Sequence, residues 1–150
     1  MKAAKKKRLT ICFDMDHTLA HSAWRDEHIA PAMESGEWDT YHSMSNKDKP
    51  AVPMIALAAA LMAAGHNVFI VTARPRRWLR ITRNQLIRAG LDIDISQILM
   101  RPEEEFRPSP EVKLELTSHL DIDLFIDDRE DVVTAFAEAG ITTLQVRLTS

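Results

Sequence analysis

The chain has 150 residues, 45% hydrophobic and 27% charged, with a net charge of −3, which describes one ordinary domain with a full core and leaves little room for a second. No apolar run approaches the ~20 residues that cross a bilayer and the basic start lacks the apolar stretch of a secretory signal, so the expectation is a soluble, cytoplasmic protein without a membrane partner. A single cysteine excludes an internal disulfide and a cysteine-rich zinc site.

Lys2, Lys5, Lys6, Lys7 and Arg8 carry five positive charges, leaving −8 on the remainder. Such a body does not hold nucleic acid tightly by charge alone, and residues 1–7 read as a basic, flexible tail in preference to a polyanion site. Leu9 to Phe13 is a short, largely apolar, β-prone run, and Asp14 and Asp16 stand where it stops. Asp in a loop is commonly a turn residue. Two carboxylates one residue apart also repel each other unless a cation or proton lies between them, so a divalent-metal site is the competing reading. Cys12 reads as a small buried apolar residue of the strand, and His17, His21 and His28 read as solvated or locally bonded rather than as ligands.

Residues 20–50 are polar and irregular, with Trp24, Trp38 and Tyr41 among them. They predict a small cap-like insert with a short helix around Trp24 to Ala30, folded against the body or over the site. Met54 to Ala64 reads as a helix with Pro53 near its start and Gly65 as its stop. Val68 to Val71 reads as a buried strand that delivers Thr72, Ala73, Arg74 and Pro75 to a loop. Arg77 to Ala89 is an amphipathic helix ended by Gly90, and Ile98 to Met100 a further strand. After a charged loop from Arg101 to Pro108, Ser109 is expected as the N-cap of a helix whose first turn holds Lys113. Leu124 to Ile126 is a buried strand ending in Asp127 and Asp128, Val132 to Ala139 a helix closed by Gly140, and Thr142 to Val146 a last strand.

Alternating strands and helices of this kind imply a parallel sheet covered on both faces. Ligands bind at the carboxyl ends of its strands, where Asp14, Asp16, Thr72, Asp127 and Asp128 all fall and which Lys113 can reach. Carboxylates for a hard cation, a hydroxyl and an ammonium for phosphate oxygens, and a carboxylate free to attack phosphorus make a phosphoryl-transfer set. No Gly-rich phosphate loop is present, so a nucleoside-triphosphate engine has no support.

Asp14-Met15-Asp16-His17-Thr18, then Thr72 after a buried strand, then Lys113, then Asp127-Asp128 resemble the four motifs of the haloacid dehalogenase (HAD) superfamily of phosphatases over nearly the whole chain. Within it, Val71 to Arg74, Leu99 to Arg101, Arg107, Val112-Lys113 and Ile126 to Arg129 with Val132-Val133 are similar to the 3′-phosphatase domain of bacteriophage polynucleotide kinase-phosphatases. The resemblance implies an α/β, Rossmann-like three-layer αβα sandwich with strand order 5-4-1-2-3 and a minimal cap, in a bacterial or phage-infected cell. It further implies an Mg²⁺-dependent phosphomonoesterase acting on a nucleic-acid 3′-phosphate end, or on a free nucleotide as a nucleotidase would. By the same resemblance Asp14 attacks phosphorus and Asp16 is the acid, then the base; Thr72 and Lys113 hold phosphate oxygens. Thr18, Arg74 and Arg107 contact substrate, and the metal sits on Asp14, Asp16 through its carbonyl, and one or both of Asp127 and Asp128.

His17 stands where that family usually has Gly, and Ser109 where the kinase-linked enzymes usually carry Asp. A phosphate- or nucleic-acid-binding module with a silent site is the non-enzyme alternative. A response-regulator receiver also gathers Asp, Thr and Lys around magnesium, but its acidic pair comes first in the chain and here it comes last. Trp78 reads as core or rim packing before a base-stacking platform.

Overall fold

The computed structural model describes residues 7–149; most of the basic tail lies outside the described residues. The centre is β1 (Thr10–Phe13), whose alternation sends Ile11 and Phe13 to one face and Cys12 to the other. The remaining strands, in chain order, are the two-residue β2 (Ala20–His21) and β3 (Lys49–Pro50), then β4 (Asn67–Pro75), β5 (Ile98–Arg101), β6 (Leu124–Asp127) and β7 (Thr143–Gln145). A five-stranded sheet runs β5-β4-β1-β6-β7 with every pairing parallel. Numbered by its own five strands from the β7 edge, that order is the expected 5-4-1-2-3.

The helices are α1 (Ile29–Ser35), α2 (Asp39–Ser43), α3 (Val52–Ala63), α4 (Leu79–Arg88), α5 (Ser109–Leu116) and α6 (Glu130–Glu138). Ile55 and Ala58 of α3 and Leu86 of α4 pack with Ile11, Phe13, Val68 and Ile70 on one face. Val132 and Phe136 of α6, with Leu114 and Leu116 of α5, pack with Cys12, Val71 and Phe125 on the other. Phe125 and Phe136 stack there with centroids 3.7 Å apart, and burial pushes the Cys12 thiol up to about 12, keeping it an inert apolar filler. Among the described residues no helix is long and apolar enough to cross a membrane.

Three local expectations are corrected. The strand read as ending at Val71 continues to Pro75, because after an irregularity beyond Thr72 the chain rejoins β5 through Pro75 and Arg101. Ser109 is the first residue of α5 and makes no cap bond; its hydroxyl lies 3.2 Å from the Arg129 guanidinium, which donates to it, and Lys113 falls a turn further in. The insert is more structured than one short helix: a 3-10 turn (Ala23–His28) leads into α1, and a second (Met44–Lys47) follows α2. The β2–β3 ribbon closes its base.

An aromatic cluster binds the insert to the body. Tyr41 lies edge-on to Trp38 at 5.8 Å and to His42 at 5.2 Å, and His42 in turn faces Trp78 at 6.3 Å. Burial pushes the His42 imidazole down from 6.5 to about 4. Between those values the unfolded chain binds a proton that the folded chain refuses, so this contribution is full above about pH 6.5 and is lost as pH falls toward 4. The loss is on the order of 3 kcal/mol. In urea unfolding at pH 7 and pH 4.5, His42→Gln is expected to flatten part of the wild-type decline; equal declines in the two proteins would show that His42 is not buried neutral.

Candidate active site

Asp14 leaves β1 with its amide bonded to the Ile126 carbonyl at 2.9 Å, so the loop starts as a continuation of the sheet. The chain then turns back: Leu19 and Ala20 amides bond the Met15 carbonyl at 2.9 and 3.2 Å, and His17 N bonds Ala20 O at 3.0 Å. This tight reversal puts His17 at φ +61, the left-handed region that favours Gly. His17 accepts that conformation, and its Nε2 sits 3.2 Å from Asp26 Oδ1.

The turn sends the two aspartates to different partners. Asp14 is buried; Lys113 Nζ donates to its Oδ1 at 2.8 Å and to Asp127 Oδ2 at 2.6 Å, bridging the two strand ends. The other Asp14 oxygen accepts from Thr18 at 3.0 Å, so Thr18, expected at substrate, instead orients the carboxylate. Asp127 Oδ1 accepts from the Arg129 amide at 3.0 Å. Burial opposes charge on Lys113, but Asp14 and Asp127 outweigh it and hold the ammonium protonated above its ordinary range.

Asp14, Asp127 and Asp128 each offer a carboxylate oxygen within 4.8 Å of the others. Burial and the Asp14 charge push the Asp127 and Asp128 carboxyls up, so the trio is short of positive charge even with Lys113 beside it. An all-oxygen set of this charge fits a hard divalent cation such as Mg²⁺. The Asp16 carboxylate is not part of the trio. Thr72 is buried at the same strand-end edge, its Oγ1 accepting from the Arg74 amide at 3.2 Å.

Asp16 faces the opposite way, into a buried network that sequence reasoning missed. Arg74 donates to it through Nε at 3.0 Å and Nη2 at 2.7 Å, and Arg25 Nη2 and the Ser22 hydroxyl also reach Oδ1. Arg25 also donates to Asp48 (2.9 and 2.7 Å) and to the Tyr41 carbonyl (3.2 Å), with its guanidinium carbon 4.3 Å from the Tyr41 ring centroid. Trp24 Nε1 also donates to Asp48, at 2.8 Å. Arg74 completes its set on Thr82 and Gln85 of α4, both at 3.0 Å. Burial would raise the Asp16 carboxyl, but the Arg74 and Arg25 charges prevail and hold it well below the usual carboxylate range.

Arg74, expected to contact substrate, is instead buried, with two of its donors on Asp16 and two on α4. Arg107 is exposed and shared between Glu105 and Glu115. No local signal distinguishes Arg25 and Asp48 from the other charges of a polar segment; only the fold, which closes a sequence separation of 23 residues, brings them together.

A five-stranded parallel sheet in this order, with an Asp-x-Asp loop on its central strand and Lys113 joining that loop to the acidic end of the next strand, defines a HAD-superfamily phosphatase domain, a phosphoric monoester hydrolase. The model of one family, the polynucleotide kinase PNKP phosphatase domain, matches residues 8–149, and the chain belongs to that family. No curated protein matches the sequence. Among solved structures, a Pnkp1/Rnl/Hen1 complex is similar at 23% identity and TM-score 0.76 over 95% of this chain and 47% of that one. A structure of the Pnkp1/Rnl/Hen1 RNA repair complex is similar at 21% and 0.77 over 100% and 46%. The class C acid phosphatase from Bacillus anthracis follows at 20% and 0.64 over 95% and 67%. At these identities the likeness is one of fold, and the chain spans about half the length of the chains it matches in those two complexes.

Removing one partner of a buried ion pair leaves the other charge uncompensated, at about 3–5 kcal/mol. Asp48→Ala is expected to cost that much in urea unfolding, since Arg25 and Asp48 are both fully buried. A loss under about 1 kcal/mol, the value of an exposed pair, would mean the network is open to water.

Proposed function

We propose that this chain is an Mg²⁺-dependent polynucleotide 3′-phosphatase acting through an aspartyl-phosphate, with residues 20–50 as a minimal cap on a single domain. The observation that carries the reading is the Lys113 bridge between Asp14 and Asp127, with Asp128 adjoining. It gives Asp14 a fixed direction and provides an ammonium where a phosphate oxygen would come to lie. Family membership supports a nucleic-acid end as substrate.

In the first step an Asp14 oxygen forms a bond to phosphorus while the bond to the 3′-oxygen breaks, and Asp16 gives that oxygen a proton. In the second, water attacks the phosphorus of the acyl phosphate, Asp16 takes the water proton, and phosphate leaves with Asp14 restored. Thr72 and Lys113 hold the phosphoryl oxygens. Asp14, Asp127, Asp128 and the Asp16 backbone carbonyl would hold Mg²⁺, which would supply positive charge against the phosphate and the carboxylates. With two guanidiniums on it Asp16 is an ionised base; to serve as the acid it must loosen from them and bind a proton. Arg107 can exchange its surface pairs for a phosphodiester, because exposed pairs of this kind hold weakly.

The test is phosphate release with Mg²⁺ from 3′- and 5′-phosphorylated oligonucleotides, 3′- and 5′-mononucleotides and sugar phosphates. The 3′-phosphorylated oligonucleotide is expected to be the best substrate, its advantage shrinking with added salt as backbone contacts are screened. Asp14→Asn is expected to lower turnover on it by several orders of magnitude. A free mononucleotide as best substrate, indifferent to salt, would replace this reading with a nucleotidase, and near-normal turnover in Asp14→Asn would remove the nucleophile assignment.

A further inference from the structure

Phe106 is the most exposed large apolar side chain of the described residues, at 86%. It stands in the loop between β5 and α5, at the carboxyl edge of the sheet where the catalytic groups gather. Both neighbouring carbonyls, of Glu105 and Arg107, accept from Arg101 Nη1 at 3.1 and 2.8 Å, while Arg101 Nε donates to the carbonyl of Ala73, the residue after Thr72, at 2.9 Å. Three residues on, the Ser109 hydroxyl accepts from Arg129, whose amide holds Asp127. The loop is thus pinned on two sides to the residues that flank the phosphate site, and Phe106 at the middle of it is left in water.

An aromatic ring held in place without a packing partner gains most from a flat apolar face of its own size, and nucleobases offer one whatever their identity. Of the three loop carboxylates, Glu103 is paired with Arg77 and Glu105 with Arg107, so Glu104 is the one whose charge the stacked base must outweigh. We infer that Phe106 is the platform on which the base of the substrate's 3′-terminal nucleotide stacks while its phosphate lies at Asp14. This inference rests on the polynucleotide reading above and deepens it. It assigns to the β5–α5 loop a contact that is indifferent to base identity and needs only that a base be present.

The measurement is steady-state phosphate release with Mg²⁺ from two oligonucleotides, one ending in an ordinary 3′-phosphorylated nucleotide and one in an abasic 3′-phosphate, with p-nitrophenyl phosphate as control. Wild type, Phe106→Ala and Phe106→Tyr are compared. Phe106→Ala is expected to raise KM about tenfold for the base-bearing end, within the range that one stacked base contributes. It should leave kcat on that end, and both constants on the abasic end and the aryl phosphate, near wild type; Phe106→Tyr should restore the base-bearing KM. If wild type acts on both ends but Phe106→Ala shifts them equally or not at all, the platform is wrong and the phosphatase reading stands. If wild type releases nothing from either end while hydrolysing mononucleotides, the polynucleotide reading fails and takes the platform with it. A shift in oligomeric state on Phe106→Ala, with KM unchanged, would give the ring to a second copy of the chain and also overturn the inference.

Discussion

Two carboxylates one residue apart at the end of a buried strand constrain everything around them. At about 4 Å and an effective dielectric near 20, like charges repel by roughly 4 kcal/mol, a large fraction of a small domain's stability. The loop relieves this by turning Asp14 and Asp16 toward opposite sides and giving each its own cations. Lys113, reaching from α5, compensates Asp14 and Asp127 together. Arg25 and Arg74 compensate Asp16. The separation of charge is also a separation of chemistry, one carboxylate within the acidic trio and the other set apart from it.

The second compensation explains much of the remaining architecture. Asp16 with two guanidiniums would carry excess positive charge, and Asp48 balances it, so two arginines and two aspartates form a neutral, buried square. Its members come from the Asp-x-Asp loop, the insert and β4, and Thr82 and Gln85 of α4 hold its outer edge. The insert thus does more than cover an opening: it supplies Ser22, Arg25 and Asp48, and the aromatic cluster of Trp38, Tyr41 and His42 seats that supply against Trp78. Burial of these charges without such pairing would be prohibitive.

The parallel sheet was legible in the sequence because buried strands alternate with helices, and its order was legible only through the family resemblance; Asp14 and Asp127 come together because each stands at the carboxyl end of its strand, with Lys113 reaching them from α5. The roles of those residues are proposals. What was not legible depends on direction rather than position. Arg74 was placed at the right edge, yet the irregularity after Thr72 carries the strand on, and the guanidinium lies inward on Asp16. Thr18 bonds Asp14 because the reversal after Met15 is tight. Ser109 has the composition of an N-cap, but Arg129 claims its hydroxyl. Arg25 and Asp48 lie in a polar, irregular stretch with no periodicity to mark them, and only long-range closure reveals their pairing.

The central claim is that Asp14 bonds phosphorus and Asp16 manages protons. It is tested most directly by rapid acid quench of the Asp16→Asn variant with ³²P-labelled p-nitrophenyl phosphate and Mg²⁺. The aryl leaving group needs no proton, so the first step should proceed, while the second lacks its base. The account predicts protein-bound phosphate accumulating toward one equivalent and mapping to Asp14. Aryl phosphate turnover with no protein-bound label at any time, or label on another residue, would contradict it.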